Sequence, residues 1–212
     1  MTTEITAAMV RQLREQTGAG IMDCKAALTE AGGDFEVARD KLRAKGLASA
    51  EKRRGRETRE GLVDSYIHPG GQIGVLIEVN CESDFVARTD QFSGLVHDLA
   101  IQVAAQSPRW VSKDDVPEAE LERERAIYRE QAAQEGKGSA HLDQILEGRL
   151  RKFYQAFCLY EQPFIRDEGP KPRRIEELIQ ETVAATGEHI SVARFVRFRL
   201  GEHLDGAAAD GA

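Results

Sequence analysis

Between Ile73 and Val103 the hydrophobic pattern of the chain changes period. Ile73, Val75, Ile77 and Val79 alternate with Gly74, Leu76, Glu78 and Asn80, the repeat of a strand, whereas Phe92, Leu95, Val96, Leu99 and Val103 recur at helical spacing. A strand feeding straight into an amphipathic helix commits the chain to a mixed fold. The junction between them, Asn80-Cys81-Glu82-Ser83-Asp84-Phe85-Val86-Ala87-Arg88, falls where a segment is expected near the surface. It sets a bulky aromatic between an acid and a small apolar residue. On the residues alone, Phe85 reads best as a core side chain closing beneath the helix start.

The rest of the chain supplies an α+β frame for that junction. Residues 62–67 lead through the turn signal Pro69-Gly70-Gly71 into the strand 73–79, forming a hairpin. Gly70, Gly71 and Gly74 lack the Gly-Lys-Ser/Thr ending of a phosphate-binding loop, so they are turn residues. Residues 190–200 alternate again, Val196, Phe198 and Leu200 against Phe195, Arg197 and Arg199, and read as a strand completing the same sheet. A helix is expected over 89–106, ending before Ser107-Pro108. A charged helix over 117–135, with pairs Glu120/Arg123 and Glu122/Arg125, then folds back on a helix over 140–157 across Gly136-Lys137-Gly138. Leu142, Ile145, Leu146, Leu150, Phe153 and Phe157 make the inner face of the second, in which Gly148 suggests a close helix contact. After a loop from Gln162 to Pro172, a helix buries Ile175, Leu178, Ile179 and Val183 and stops at Gly187.

Residues 5–46 read as a separate three-helix bundle. Thr6 caps the first helix, with Ile5 and Val10 spaced as a hydrophobic staple, and Met9, Val10 and Leu13 facing inward. Asp23 is the expected cap of the second helix and Asp34 of the third, which Lys45-Gly46 would end. The expected division is a helical domain over 1–47, a charged linker over 48–60, an α+β core over 61–203 and a small-residue tail over 204–212. Residues 51–60 carry five basic and three acidic side chains with no aromatic among them. That composition suits a solvated connector, with RNA contact as the rival reading.

Charge and composition narrow the function classes. A net charge of −7 argues against a general nucleic-acid binder, and no apolar run approaches the length of a membrane span. Met1-Thr2-Thr3-Glu4 resembles no signal peptide, so a cytoplasmic protein is expected. Cys24, Cys81 and Cys158 lie far apart without a CxxC pair and read as small buried hydrophobes. The five histidines, His68, His97, His141, His189 and His203, form no metal-ligand spacing. No catalytic constellation, cofactor or metal site is expected, although a triad assembled in space remains a rival reading. The residues point to an α+β interaction protein.

Four segments, in order, resemble the signatures of the translation elongation factor Ts family. They are Leu13-Arg14-Glu15-Gln16-Thr17-Gly18-Ala19-Gly20-Ile21-Met22-Asp23-Cys24-Lys25-Ala26-Ala27-Leu28, then 78–88, then Glu147-Gly148-Arg149-Leu150-Arg151-Lys152-Phe153 with Glu161-Gln162-Pro163-Phe164, and finally 195–202. The resemblance implies a guanine-nucleotide exchange factor, not an enzyme, whose partner is elongation factor Tu in its GDP-bound and nucleotide-free forms. It implies a ubiquitin-associated-like N-terminal domain that docks through Arg14, Ile21 and Met22. It implies that Ser83-Asp84-Phe85-Val86 dislocates the partner's Mg²⁺ site, with Ser83 replacing the usual threonine and keeping its hydroxyl. His68, in Tyr66-Ile67-His68, matches a further contact and equally a hairpin-tip residue. Only one central module, 61–111, is present where many members have two, so a homodimer that covers the sheet is expected, with no direct nucleic-acid or membrane partner.

Overall fold

The computed structural model describes residues 4–53, 55–134 and 142–202. Among them eight helices and a three-stranded antiparallel sheet make an α+β fold, as the change of hydrophobic period requires. In chain order these are α1 (Ala7–Thr17), α2 (Ile21–Glu30), α3 (Phe35–Arg53), β1 (Glu60–Ile67), β2 (Ile73–Cys81), α4 (Asp84–Ala87), α5 (Asp90–Gln106), α6 (Glu118–Gln134), α7 (Leu142–Phe157), α8 (Ile175–Thr186) and β3 (Ser191–Arg199). The strand order is β1-β2-β3. Two compact units divide the chain. One is assembled from Met1–Leu62, Val79–Leu95 and Pro163–Ser191, the other from Val63–Glu78, Val96–Gln162 and Val192–Ala212.

In the first unit, α1 to α3 enclose Val10, Leu13, Cys24, Ala27, Leu28, Ala38 and Leu42. Thr6 Oγ1 accepts from the Met9 N–H at 3.3 Å, and Gly18 at φ 67° ends α1. Asp34 caps α3 as its sequence position predicts, accepting from the Glu36 and Val37 N–H groups at 2.9 and 3.1 Å. Asp23 behaves differently from the expected cap. α2 begins three residues earlier, with Gly20 supplying the extended backbone, and Asp23 instead bonds Lys45 Nζ at 2.7 Å. An acid in the first turn still favours the helix through its dipole.

The third helix also departs from expectation, running through Gly46 to Arg53 and so through the first part of the expected linker. The reason is packing. A Cβ at Gly46 would lie 3.0 Å from the Ala184 Cβ on α8, so glycine lets the two helices approach closely. Arg43 reaches Glu177 at 2.7 Å across the same pair. The contact offsets the cost of about 1 kcal/mol that a glycine imposes on a helix interior. The loop before α8 is tied down by Arg173, which bonds Asp167 at 2.6 Å and Glu181 at 2.5 Å and holds the Asp167 carboxyl below the usual carboxylate range.

In the second unit the β1–β2 hairpin closes where the His68 N–H donates to the Ile73 carbonyl at 2.9 Å. One face of the sheet meets α5, for Asp64 lies 3.4 Å from His97 Nδ1 and Arg197 Nε donates to the Ala104 carbonyl. Period-two alternation then turns Val63, Ile67, Leu76, Val196 and Phe198 to the opposite face, where all five are exposed. α6 and α7 pack as the expected helical pair, with Arg149 bonding Gln131 and lying over the Tyr128 ring. Residues 135–141, which include the expected Gly136-Lys137-Gly138 break, lie outside the described residues, as does the expected tail at 204–212.

Two details of the α6–α7 pair differ from the sequence reading. Gly148 has open space where a Cβ would stand, so it marks no helix contact. Glu120 pairs with Arg109 at 3.2 Å rather than with Arg123, and Arg125 takes both Glu118 and Glu122. Val116, Leu121, Phe153 and Cys158 form the core beneath, flanked by Trp110 and Phe157. Burial pushes the Cys158 thiol up to about 12, which keeps it a protonated, apolar filler. Among the described residues, Gln102 and Gln162 are the polar exception in this unit's interior. The Gln102 amide donates to Gln162 at 3.2 Å, and the Gln162 amide to the Ala156 carbonyl at 3.0 Å.

Candidate partner-binding site

The junction after β2 is built so that one large apolar side chain points into solvent. Ser83 has extended backbone, caps α4 and accepts from the Val86 N–H at 3.4 Å. One helical turn then sorts its neighbours by angle. Val86 and Ala87 are buried, while Asp84 and Phe85 face outward, Phe85 with 79% of its surface exposed. Phe85 is therefore not the core side chain that the residues alone suggest. Val86 fills the core position, and Phe85, about 100° earlier around the helix, is left outside.

Ser83 is held through every polar group it has. Its N–H donates to Glu188 Oε2 at 3.0 Å and its hydroxyl to Glu188 Oε1 at 2.5 Å. Its carbonyl accepts from the Ala87 N–H at 3.2 Å and from Cys81 Sγ at 3.2 Å. Burial first, and the Glu188 charge second, push the Cys81 thiol up, so it remains a protonated donor at neutral pH. One residue earlier, Glu82 accepts from the His189 N–H at 2.6 Å and lies 3.5 Å from Arg56. Asp84, by contrast, makes an exposed pair with Arg88 at 3.0 Å. A saturated base thus carries an exposed acid and an exposed aromatic. Sequence reasoning named Ser83, Asp84, Phe85 and Val86 as candidates but gave no role to Glu188, because no local pattern announces a contact between residues 105 positions apart, nor to Glu82 and Arg56.

A second exposed apolar group lies on the three-helix bundle. Ile21 and Met22, at the start of α2, are 57% and 75% exposed. Arg14 and Ile21 help line a groove between α1 and α2 that also takes in Ile5, Val10, Arg11 and Lys25. The groove mixes apolar side chains with the cations Arg11, Arg14 and Lys25 and with Glu15, which pairs with Arg11 at 2.9 Å. His68, in the second unit, is exposed just after β1, with Nδ1 3.1 Å from the Tyr66 hydroxyl. The basic stretch after α3 is partly paired within the chain, Arg56 with Glu82 and Arg59 with Glu57. Among the described residues no cluster of three or more metal-ligating side chains occurs, and no helix is long and apolar enough to cross a membrane.

An exposed aromatic and an exposed Ile–Met pair, each at an anchored helix start, offer surfaces for contact with another protein. The fold and these surfaces define an α+β protein-interaction factor. The family model described as Elongation factor TS matches residues 3–202. An elongation factor Ts of Moorella thermoacetica is 58% identical over 200 residues, covering 94% of this chain and 97% of that protein. Those of Thermoanaerobacter sp. (strain X514) and Fervidobacterium nodosum are each 54% identical, covering 95% and 94% of this chain and 97% and 100% of theirs. The chain belongs to the elongation factor Ts family and has a role in translation elongation.

Proposed function

We propose that this chain is the guanine-nucleotide exchange factor of elongation factor Tu, acting in the cytoplasm without a cofactor of its own. It binds the GDP-bound partner, promotes GDP release and leaves the nucleotide-free partner open to GTP. The observation that carries this reading is Phe85, an aromatic left almost wholly in solvent on a base that hydrogen bonds hold fixed. Linkage supplies the mechanism. If this chain and GDP·Mg²⁺ each weaken the other's hold on the partner, the coupling is reciprocal. Magnesium demands near-ideal octahedral geometry, so a small displacement of the partner's backbone at that site disorders the ion and speeds release. Phe85 is the wedge. Asp84 beside it accepts hydrogen bonds from backbone N–H groups of the displaced segment, while Ser83 and Val86 anchor the pair. The deciding experiment adds this chain in catalytic amounts to elongation factor Tu loaded with fluorescent GDP. Release must accelerate with turnover over many partner molecules.

Docking is assigned to residues 1–47, through Arg14, Ile21 and Met22. The groove between α1 and α2 supplies apolar area, and Arg14 supplies direction. Met22→Asp is expected to weaken partner binding about ten-fold or more, as loss of one interface anchor does. Because Met22 is exposed and an acid in the first turn suits the dipole, thermal unfolding should be unchanged. Titration of the partner beside a melting curve checks both. A melted bundle with normal affinity per folded molecule would remove Met22 from the docking surface. His68 is assigned as an additional contact at the hairpin end. The remaining core, 61–203, carries the wedge and pairs with a second copy of the chain, and no direct nucleic-acid or membrane contact is assigned.

A further inference from the structure

We infer that Glu188 is a positioning residue for the exchange segment, fixing the direction in which Phe85 projects. The inference rests on the wedge reading above. Glu188 sits in the turn between α8 and β3, where Gly187 at φ 79° ends the helix and the Glu188 N–H donates to Thr186 Oγ1 at 3.4 Å. From that fixed backbone its two carboxylate oxygens take the two donors of Ser83, one each, at 3.0 and 2.5 Å. The next residue reverses the polarity, for the His189 N–H donates to the Glu82 carboxylate at 2.6 Å. Two successive turn residues therefore grip two successive residues of the segment, one as acceptor and one as donor. A single bond would leave the segment free to rotate about it, whereas this two-point grip fixes both position and angle.

The consequence is specific to the wedge. α4 has a single turn and cannot orient itself, since helices this short are marginal without outside support. Val86 anchors one side in the core, and Glu188 holds the N-terminal end. Removing the carboxylate leaves Ser83 with its cap to Val86 and free to bond water, so the fold persists while Phe85 samples a wider cone. An ångström of misplacement at a reacting site costs up to about a hundred-fold in rate. A wedge that must enter one cleft is subject to the same geometric demand.

The test compares Glu188→Ala, Glu188→Gln and Phe85→Ala. Glu188→Ala is expected to lower the saturating rate of GDP release from elongation factor Tu about five- to ten-fold, with the concentration for half-maximal effect unchanged within about two-fold. Glu188→Gln keeps one acceptor and the shape, and should recover most of the rate. In the free chain, amide hydrogen exchange at residues 83–87 should accelerate about ten-fold in Glu188→Ala while the core amides of α1 to α3 stay protected. If Phe85→Ala loses exchange activity but Glu188→Ala and Glu188→Gln keep the full saturating rate per folded molecule, Glu188 is structural only and the inference is wrong. If Phe85→Ala also keeps the full rate, the wedge reading fails first. Unchanged protection at 83–87 in Glu188→Ala overturns the inference without reference to any partner.

Discussion

Replacing Phe85 with alanine is expected to cut the rate of GDP release from elongation factor Tu ten-fold or more and to leave the chain's own stability within about 0.5 kcal/mol. The stability half of this expectation comes from the 79% exposure of the side chain. A buried phenylalanine would lose about 3–5 kcal/mol on truncation. An exposed one has no cavity to leave, and alanine is the better helix former at that position in α4. The loss in rate follows from the size of aromatic anchors at interfaces, about 2 kcal/mol or more, with each 1.4 kcal/mol worth a decade. Asp84→Ala should act in the same direction. Its exposed pair with Arg88 contributes less than about 1 kcal/mol to the fold, so it too should leave unfolding almost unchanged. The double variant should be non-additive, since two neighbours entering one cleft share one displacement. Chemical denaturation of each free variant beside fluorescent-GDP release from the partner decides it. A destabilised Phe85→Ala with normal activity per folded molecule would remove the wedge.

How much of this was legible in the sequence depends on the range of the contact concerned. The hairpin, the strand-to-helix junction and the inner face of α7 follow from local periodicity and turn chemistry, and the structure has them where the residues put them. Boundaries that depend on a partner element do not. Asp23 has the right chemistry for a cap, yet Lys45 engages it, and Gly20 starts α2 instead. Lys45-Gly46 has the composition of a helix end, yet Ala184 makes that glycine a packing residue and α3 continues. The candidate site divides the same way. Composition alone put Phe85 in the core, and its resemblance to a family segment put it outside. Only the phase of a single helical turn, fixed by burial of Val86, separates the two. The grip of Glu188 and His189 on residues 82 and 83 has no sequence signal, because Glu188 and His189 are ordinary connector residues until the chain brings the two segments together.

The outer face of the sheet yields the second large effect. Val63, Ile67, Leu76, Val196 and Phe198 all project there, and Leu200, whose N–H donates to the Gln72 carbonyl at 2.8 Å, adds another exposed apolar group beyond β3. Phe198 is 60% exposed and Leu200 77%. Scattered apolar side chains on a surface are ordinary, but six from three adjacent strands and their continuation gather on one face, where the Glu78–Arg194 ion pair at 2.7 Å is set among them. Two such sheets stacked face to face, about 10 Å apart, would bury it as a sandwich does. On this proposal light scattering at micromolar concentration gives about twice 23.5 kDa. Phe198→Glu then has an amplified effect, because a two-fold interface uses the same patch twice and each substitution counts in both copies. An aromatic anchor worth about 2 kcal/mol becomes about 4 kcal/mol per dimer, a loss of roughly three decades in the dissociation constant. The variant should run at 23.5 kDa at the same concentration with its unfolding unchanged per chain, since the face is exposed in the single copy. A parent chain that is already monomeric under these conditions, and exchanges nucleotide at full rate, would leave the patch without this role.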